Sequence, residues 1–234
     1  MRRVSDERAW LDDSLDRLRH GATERDLHIF LGLAPRRLGK ADLGLSAADL
    51  AEAETVLPGW HPADWSVDGA ARVLGLATFD AQRPFADVFK DLRRTADAAE
   101  MVALYRGLPF YPAPETLHFE VGEGLRSNLK PVFEAVAHHN PYPRDHFDEQ
   151  RWNHMILKAL FVGSRLTPIV GLRARANPEL ACILVDFAQE RWAAGRPVPE
   201  DLWIPVAPFR DTPALKPVLD AAAAAGKLTE EAFA

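Results

Sequence analysis

Three observations in the amino-acid sequence predict an all-α fold. Apolar residues recur at helical spacing along most of the chain, helix-capping residues precede those stretches, and 18 prolines fall mostly at the joints between them. A proline lacks a backbone N–H donor and restrains its predecessor, so it disturbs a helix least at the first turn. Short antiparallel helix pairs stacked as a HEAT-like or α-solenoid-like array follow from that spacing.

The first stripe is Trp10, Leu11, Ser14, Leu15 and Leu18. A second, Leu27, Phe30, Leu31 and Ala34, follows the N-cap candidate Thr23. Ser46 opens a third helix carrying Leu50, Ala53 and Leu57, and Pro58-Gly59 stops it. Ser66 opens a fourth with Val67, Ala70, Ala71, Leu74 and Ala77. The fifth runs from Pro84 to Thr95, and Asp97 with Glu100 caps a sixth. From Gly107 to Pro114 three prolines forbid a continuous helix.

Further stripes lie at Leu129, Val132, Phe133 and Val136, at Trp152, Met155, Ile156, Ala159 and Leu160, and at Leu180, Ile183, Leu184 and Phe187. Shorter helices are expected after Pro199 and Pro213. Strand signals are few: Leu117 to Val121 alternates briefly, and Leu202 to Ile204 is too short to decide. Asn140-Pro141 and Asn177-Pro178 each lead into a tryptophan-bearing helix, a weak repeat near the HEAT period.

Composition bounds the function. The 234 residues, 47% hydrophobic, suffice for a core without disulfides or a structural metal, and are read as one domain over 1–234 with a possible subdivision near 107–115. Cys182 is the only cysteine, which fits a reducing compartment, and its apolar neighbours suggest a buried, inert thiol. The start Met1-Arg2-Arg3 meets acidic residues with no apolar stretch behind it, so no secretory leader is expected, and no run is long enough for a membrane span. A cytoplasmic location follows. The net charge of -6 disfavours a broad nucleic-acid surface, although Arg36 to Lys40 forms a local basic patch.

No cofactor is expected, because the phosphate-loop candidates fail. Gly122 to Ser127 lacks a third glycine, and Gly39-Lys40 and Gly226-Lys227 are each followed by an apolar residue. No Gly-x-Ser-x-Gly elbow is present. His138, His139, His146 and His154, with Asp145, Asp148 and Glu149, offer metal-ligand chemistry, but no two of the histidines are spaced i, i+4, and solvated histidines at helix ends are expected instead. The densest polar and aromatic constellation is Arg126, Asn128, Lys130, Asn140, Tyr142, His146, Trp152, Asn153 and Lys158. Asn153 shares a helix face with Leu157 and Leu160, so its amide turns inward, either to pin the loop from Asn140 to Asp148 or to contact a ligand. Arg126, Lys130, Arg144, Arg151 and Lys158 concentrate basic charge there, where an anionic ligand would be sought.

That constellation lies within Gly124-Leu125-Arg126-Ser127-Asn128-Leu129-Lys130, Asn140-Pro141-Tyr142-Pro143 and Trp152-Asn153-His154-Met155-Ile156-Leu157-Lys158. With Leu33 to Lys40 and Trp65 to Leu74 upstream, and Ala176-Asn177-Pro178 and Glu190-Arg191-Trp192 downstream, the chain resembles the EboA family over most of its length. His138-His139 departs from the pattern, which speaks further against a metal site. The resemblance implies a bacterial operon protein involved in moving secondary metabolites, including prenylated precursors, towards the envelope or periplasm. Its partners would be other operon proteins, among them a prenyltransferase-like membrane protein, and a small-molecule metabolite. It brings no catalytic residues. The expected function is therefore a non-catalytic accessory or binding protein. The alternative is an enzyme acting on an anionic metabolite, with His146 as acid or base and Arg126 and Lys158 gripping the anion.

Overall fold

A computed structural model describes residues 2–233, without the side chains of residues 2–5 and 230. Met1, at the head of the basic start, lies outside the described residues. The chain is all-helical: among the described residues there are thirteen α-helices, several short 3₁₀ turns and no strand. It gathers into two compact units, residues 1–142 and 143–234. No described helix is long and apolar enough to cross a membrane.

The first unit holds α1 (Arg2–Arg19), α2 (Glu24–Leu38), α3 (Ala47–Val56), α4 (Val67–Thr78), α5 (Phe85–Thr95), α6 (Ala98–Arg106), α7 (His118–Arg126) and α8 (Lys130–Ala137). The helix starts follow from the caps. Thr23, Ser46 and Asp97 each form a reciprocal capping box with the residue three positions on, and Ser66 accepts from the Gly69 N–H. Helix α2 packs on α4, α4 on α6 and α6 on α8, so the even-numbered helices form the row expected of stacked pairs. Gly75 permits the first of these contacts, since a Cβ there would come within 2.2 Å of the Phe30 ring.

Helix α4 is the axis of this row. Its Asp68 and Arg72, 3% and 4% exposed, form an ion pair at 3.2 Å. Arg72 Nε also donates to the Leu31 carbonyl of α2 at 3.1 Å, and its Nη2 lies 3.8 Å from Glu100 of α6. One guanidinium thus ties three helices together. Its burial is tolerable because its donors meet oxygens on every side.

The alternation from Leu117 to Val121 is not a strand. The segment runs from a 3₁₀ turn into α7, where Glu120 and Val121 are both buried. As part of α7 they turn inward together, with Glu120 bonded to Arg93 of α5 at 2.6 Å and its carbonyl accepting from the Tyr105 hydroxyl at 3.0 Å. Gly124, in the rejected phosphate loop, is likewise helical, and a Cβ there would strike the Tyr105 ring at 2.6 Å.

A short helix, α9 (Tyr142–His146), spans the joint, and the second unit continues with α10 (Glu149–Phe161), α11 (Pro178–Ala193), α12 (Trp203–Val206) and α13 (Lys216–Ala224). Leu202 to Ile204, undecided by sequence, joins a 3₁₀ turn to α12. Cys182 on α11 is half-buried rather than buried. Asn153 of α10 and Asn177, the N-cap of α11, exchange side-chain hydrogen bonds at 2.9 and 3.3 Å, and Asn177 Oδ1 also accepts from the Leu180 N–H at 2.8 Å. The inward amide therefore pins the start of α11, not the loop from Asn140 to Asp148.

Two stability predictions follow. Arg72→Ala leaves Asp68 buried without its partner and lowers the unfolding free energy by about 3–5 kcal/mol in urea denaturation. Asn153→Ala and Asn177→Ala each cost about 1–3 kcal/mol, and the double variant costs less than their sum, because either change already breaks the shared pair.

Candidate functional site

The nine candidate residues divide between the units. Arg126, Asn128, Lys130, Asn140 and Tyr142 belong to the first, and His146, Trp152, Asn153 and Lys158 to the second. Four of them are spent on packing. Asn140 donates to the carbonyls of Tyr105 and Ala135 at 3.0 and 2.9 Å and accepts from the Tyr142 N–H at 3.0 Å. The Tyr142 hydroxyl donates to the Pro114 carbonyl at 2.7 Å. Trp152 is fully buried, with the Arg175 guanidinium 4.6 Å from its ring centroid. Asn153 is engaged by Asn177 as described above.

The remaining members are more open. Arg126 and Lys130 are exposed and paired with Glu123 and Glu134, and Asn128 stands exposed in the turn between them. His146 and Lys158 are half-buried. Arg144 and Arg151, counted with the basic charge, pair with Asp145 and Asp148. The concentration of cations in the sequence is therefore largely neutralised by carboxylates from the same or neighbouring turns.

The histidines are also dispersed: His138 and His139 belong to the first unit, His146 and His154 to the second. His139 adopts a left-handed backbone, φ 52°, and its ring stands 5.1 Å from that of His61. Among the described residues no three His, Cys, Asp or Glu side chains are placed to hold a metal ion. His138 and His139 line a polar cavity of roughly 270 Å³ together with Arg106 and Asp64, which are bonded to each other.

A larger concavity, roughly 440 Å³, lies wholly within the first unit and differs in chemistry. One wall is α3, contributing Asp49, Glu52, Ala53 and Val56. The opposite wall is α4, contributing Ala70, Val73, Leu74 and Ala77. Both sets follow the i, i+3, i+4, i+7 pattern of a single helix face. Trp60, Trp65 and Phe110 add an aromatic cluster, with Trp60 edge-on to the other two at centroid separations of 5.7 and 4.8 Å. Leu43, Leu45 and Pro62 complete the lining.

Local sequence explains why the groove stays open. Helix α3 buries only Ala53, so it has too little apolar surface to close onto α4. The loop before α3 is tied to the residue that starts α4 by an antiparallel bridge between Asp42 and Ser66. Val56 and Leu74 are left 70% and 48% exposed, one on each wall. Among the described residues the only charged lining groups are the two carboxylates of α3. Hydrogen bonds from the Ser46 hydroxyl and then its N–H hold the Asp49 carboxyl below the usual aspartate range, so that rim is anionic at neutral pH.

Sequence reasoning missed this groove. Its signal was present in α4, where Ala70, Leu74 and Ala77 join Ala71 in one stripe although the buried face is made by Asp68, Ala71, Arg72, Val73, Gly75 and Leu76. A helix apolar on more faces than its neighbours cover leaves a surface for something else.

A family model described as metabolite traffic protein EboA matches residues 1–207. No curated protein and no solved structure matches the chain. The match spans all eight helices of the first unit as well as α9 to α12, and on that extent the chain belongs to the EboA family of metabolite traffic proteins.

Proposed function

We propose that this protein is a non-catalytic binding protein that takes up the trafficked metabolite in the groove between α3 and α4. The observation that carries this reading is the groove itself: a ligand-sized concavity with apolar walls and an aromatic cluster, a combination suited to reversible capture of a small molecule.

In this reading the protein acts from the cytoplasmic side, passing its cargo towards the envelope or periplasm. Other operon proteins, including a prenyltransferase-like membrane protein, receive it. The exposed turn between α7 and α8, with Arg126, Asn128 and Lys130, supplies a surface for such a partner. Its ion pairs are solvent-exposed and exchange at little cost.

Ala70→Trp tests the proposal, because Ala70 is only partly buried and an indole there fills the groove from its α4 wall. In the native host the variant is expected to keep its helical circular dichroism and melting temperature while the metabolite stays inside the cell, as in a deletion strain. A folded Ala70→Trp protein that restores metabolite traffic fully would remove the groove from the mechanism.

A further inference from the structure

Resting on that reading of the groove, we infer that its ligand is an uncharged, predominantly hydrocarbon molecule, and that anionic amphiphiles are selected against. Three observations carry this. The α4 wall is aliphatic, Ala53 and Val56 supply apolar surface from α3, and Val56 and Leu74 remain 70% and 48% exposed. A hydrocarbon entering between them removes apolar surface from water on both helices at once.

The charged groups at the rim are Asp49 and Glu52, both exposed and on the same face of α3. Among the described residues no lysine, arginine or histidine lines the groove. A phosphate or carboxylate head would thus meet two like charges and no cation. The guanidinium above Trp65, that of Arg106, is already bonded to the Asp64 carboxylate. An uncharged ligand has nothing to lose at this rim, so its selectivity comes from repulsion of the wrong head rather than from a bond to the right one. The aromatic cluster of Trp60, Trp65 and Phe110 adds flat apolar contact and a built-in reporter.

The test uses the full chain and the uncharged fluorophore N-phenyl-1-naphthylamine, displaced at pH 8 by 1-decanol, decanoate or decyl phosphate below their micellar concentrations. These competitors share one chain and differ in head charge. The alcohol is expected to displace the fluorophore, the two anions to do so at least tenfold more weakly, and Glu52→Lys to narrow that gap. Equal or tighter binding of either anion to the unmodified protein overturns the ligand class but leaves the groove as a binding site. Failure of the fluorophore to bind, when Ala70→Trp is folded and equally inert, overturns the groove reading as well. If sedimentation shows a concentration-dependent dimer that Ala70→Trp abolishes, with no fluorophore uptake, the groove belongs to a second copy of the chain and the inference falls.

Discussion

The buried ion pair of Asp68 and Arg72 sets the arrangement of the first unit. Its guanidinium sits within α4 yet reaches the backbone of α2 and the carboxylate of α6, so the rotation of α4 about its own axis is fixed by charge as well as by packing. An apolar helix face tolerates some rotational slippage, whereas a buried guanidinium does not, because any donor turned away from its oxygen is left unsatisfied. Once that rotation is set, Gly75 faces Phe30, and Ala70, Val73, Leu74 and Ala77 face α3. The groove is thus a consequence of where the charge pair points.

The two cavities lined by Trp65 show how one residue separates two environments. On the groove side the indole joins Trp60 and Phe110; on the polar side lie Arg106, Asp64 and the His138-His139 pair. The polar cavity carries its own compensating charges, and a bonded Arg–Asp pair has little left to offer a ligand. The apolar groove has no internal compensation, and its exposed aliphatic side chains on both walls are improved by anything that covers them.

Family membership and geometry meet at different levels. The family describes metabolite traffic for a match that covers both units through residue 207. The geometry gives a chemical preference within the first unit, and the central block that carries much of the family resemblance is largely occupied with packing through Asn140, Tyr142, Trp152 and Asn153. A dense signature of polar and aromatic residues can thus mark interior hydrogen bonding, here through the two amides and the Tyr142 hydroxyl, although the buried Trp152 Nε1–H has no such partner among the described residues.

The sequence by itself determined the helices. Thr23, Ser46, Ser66, Asp97 and Asn177 start helices where local capping chemistry says they should, because a cap bonds a backbone N–H only two or three residues away. The brief alternation from Leu117 to Val121 does not become a strand, in keeping with the all-α reading, and Glu120 and Val121 are buried together in α7. The sequence foresaw that Asn153 turns inward but not that its partner is Asn177, since sequence periodicity gives the face and not the neighbour. The groove was decided only in three dimensions. Its walls are separate helix faces, its aromatic cluster comes from a loop and a 3₁₀ turn, and its openness depends on α3 having too little apolar surface to close, a balance of long-range contacts that no local pattern encodes.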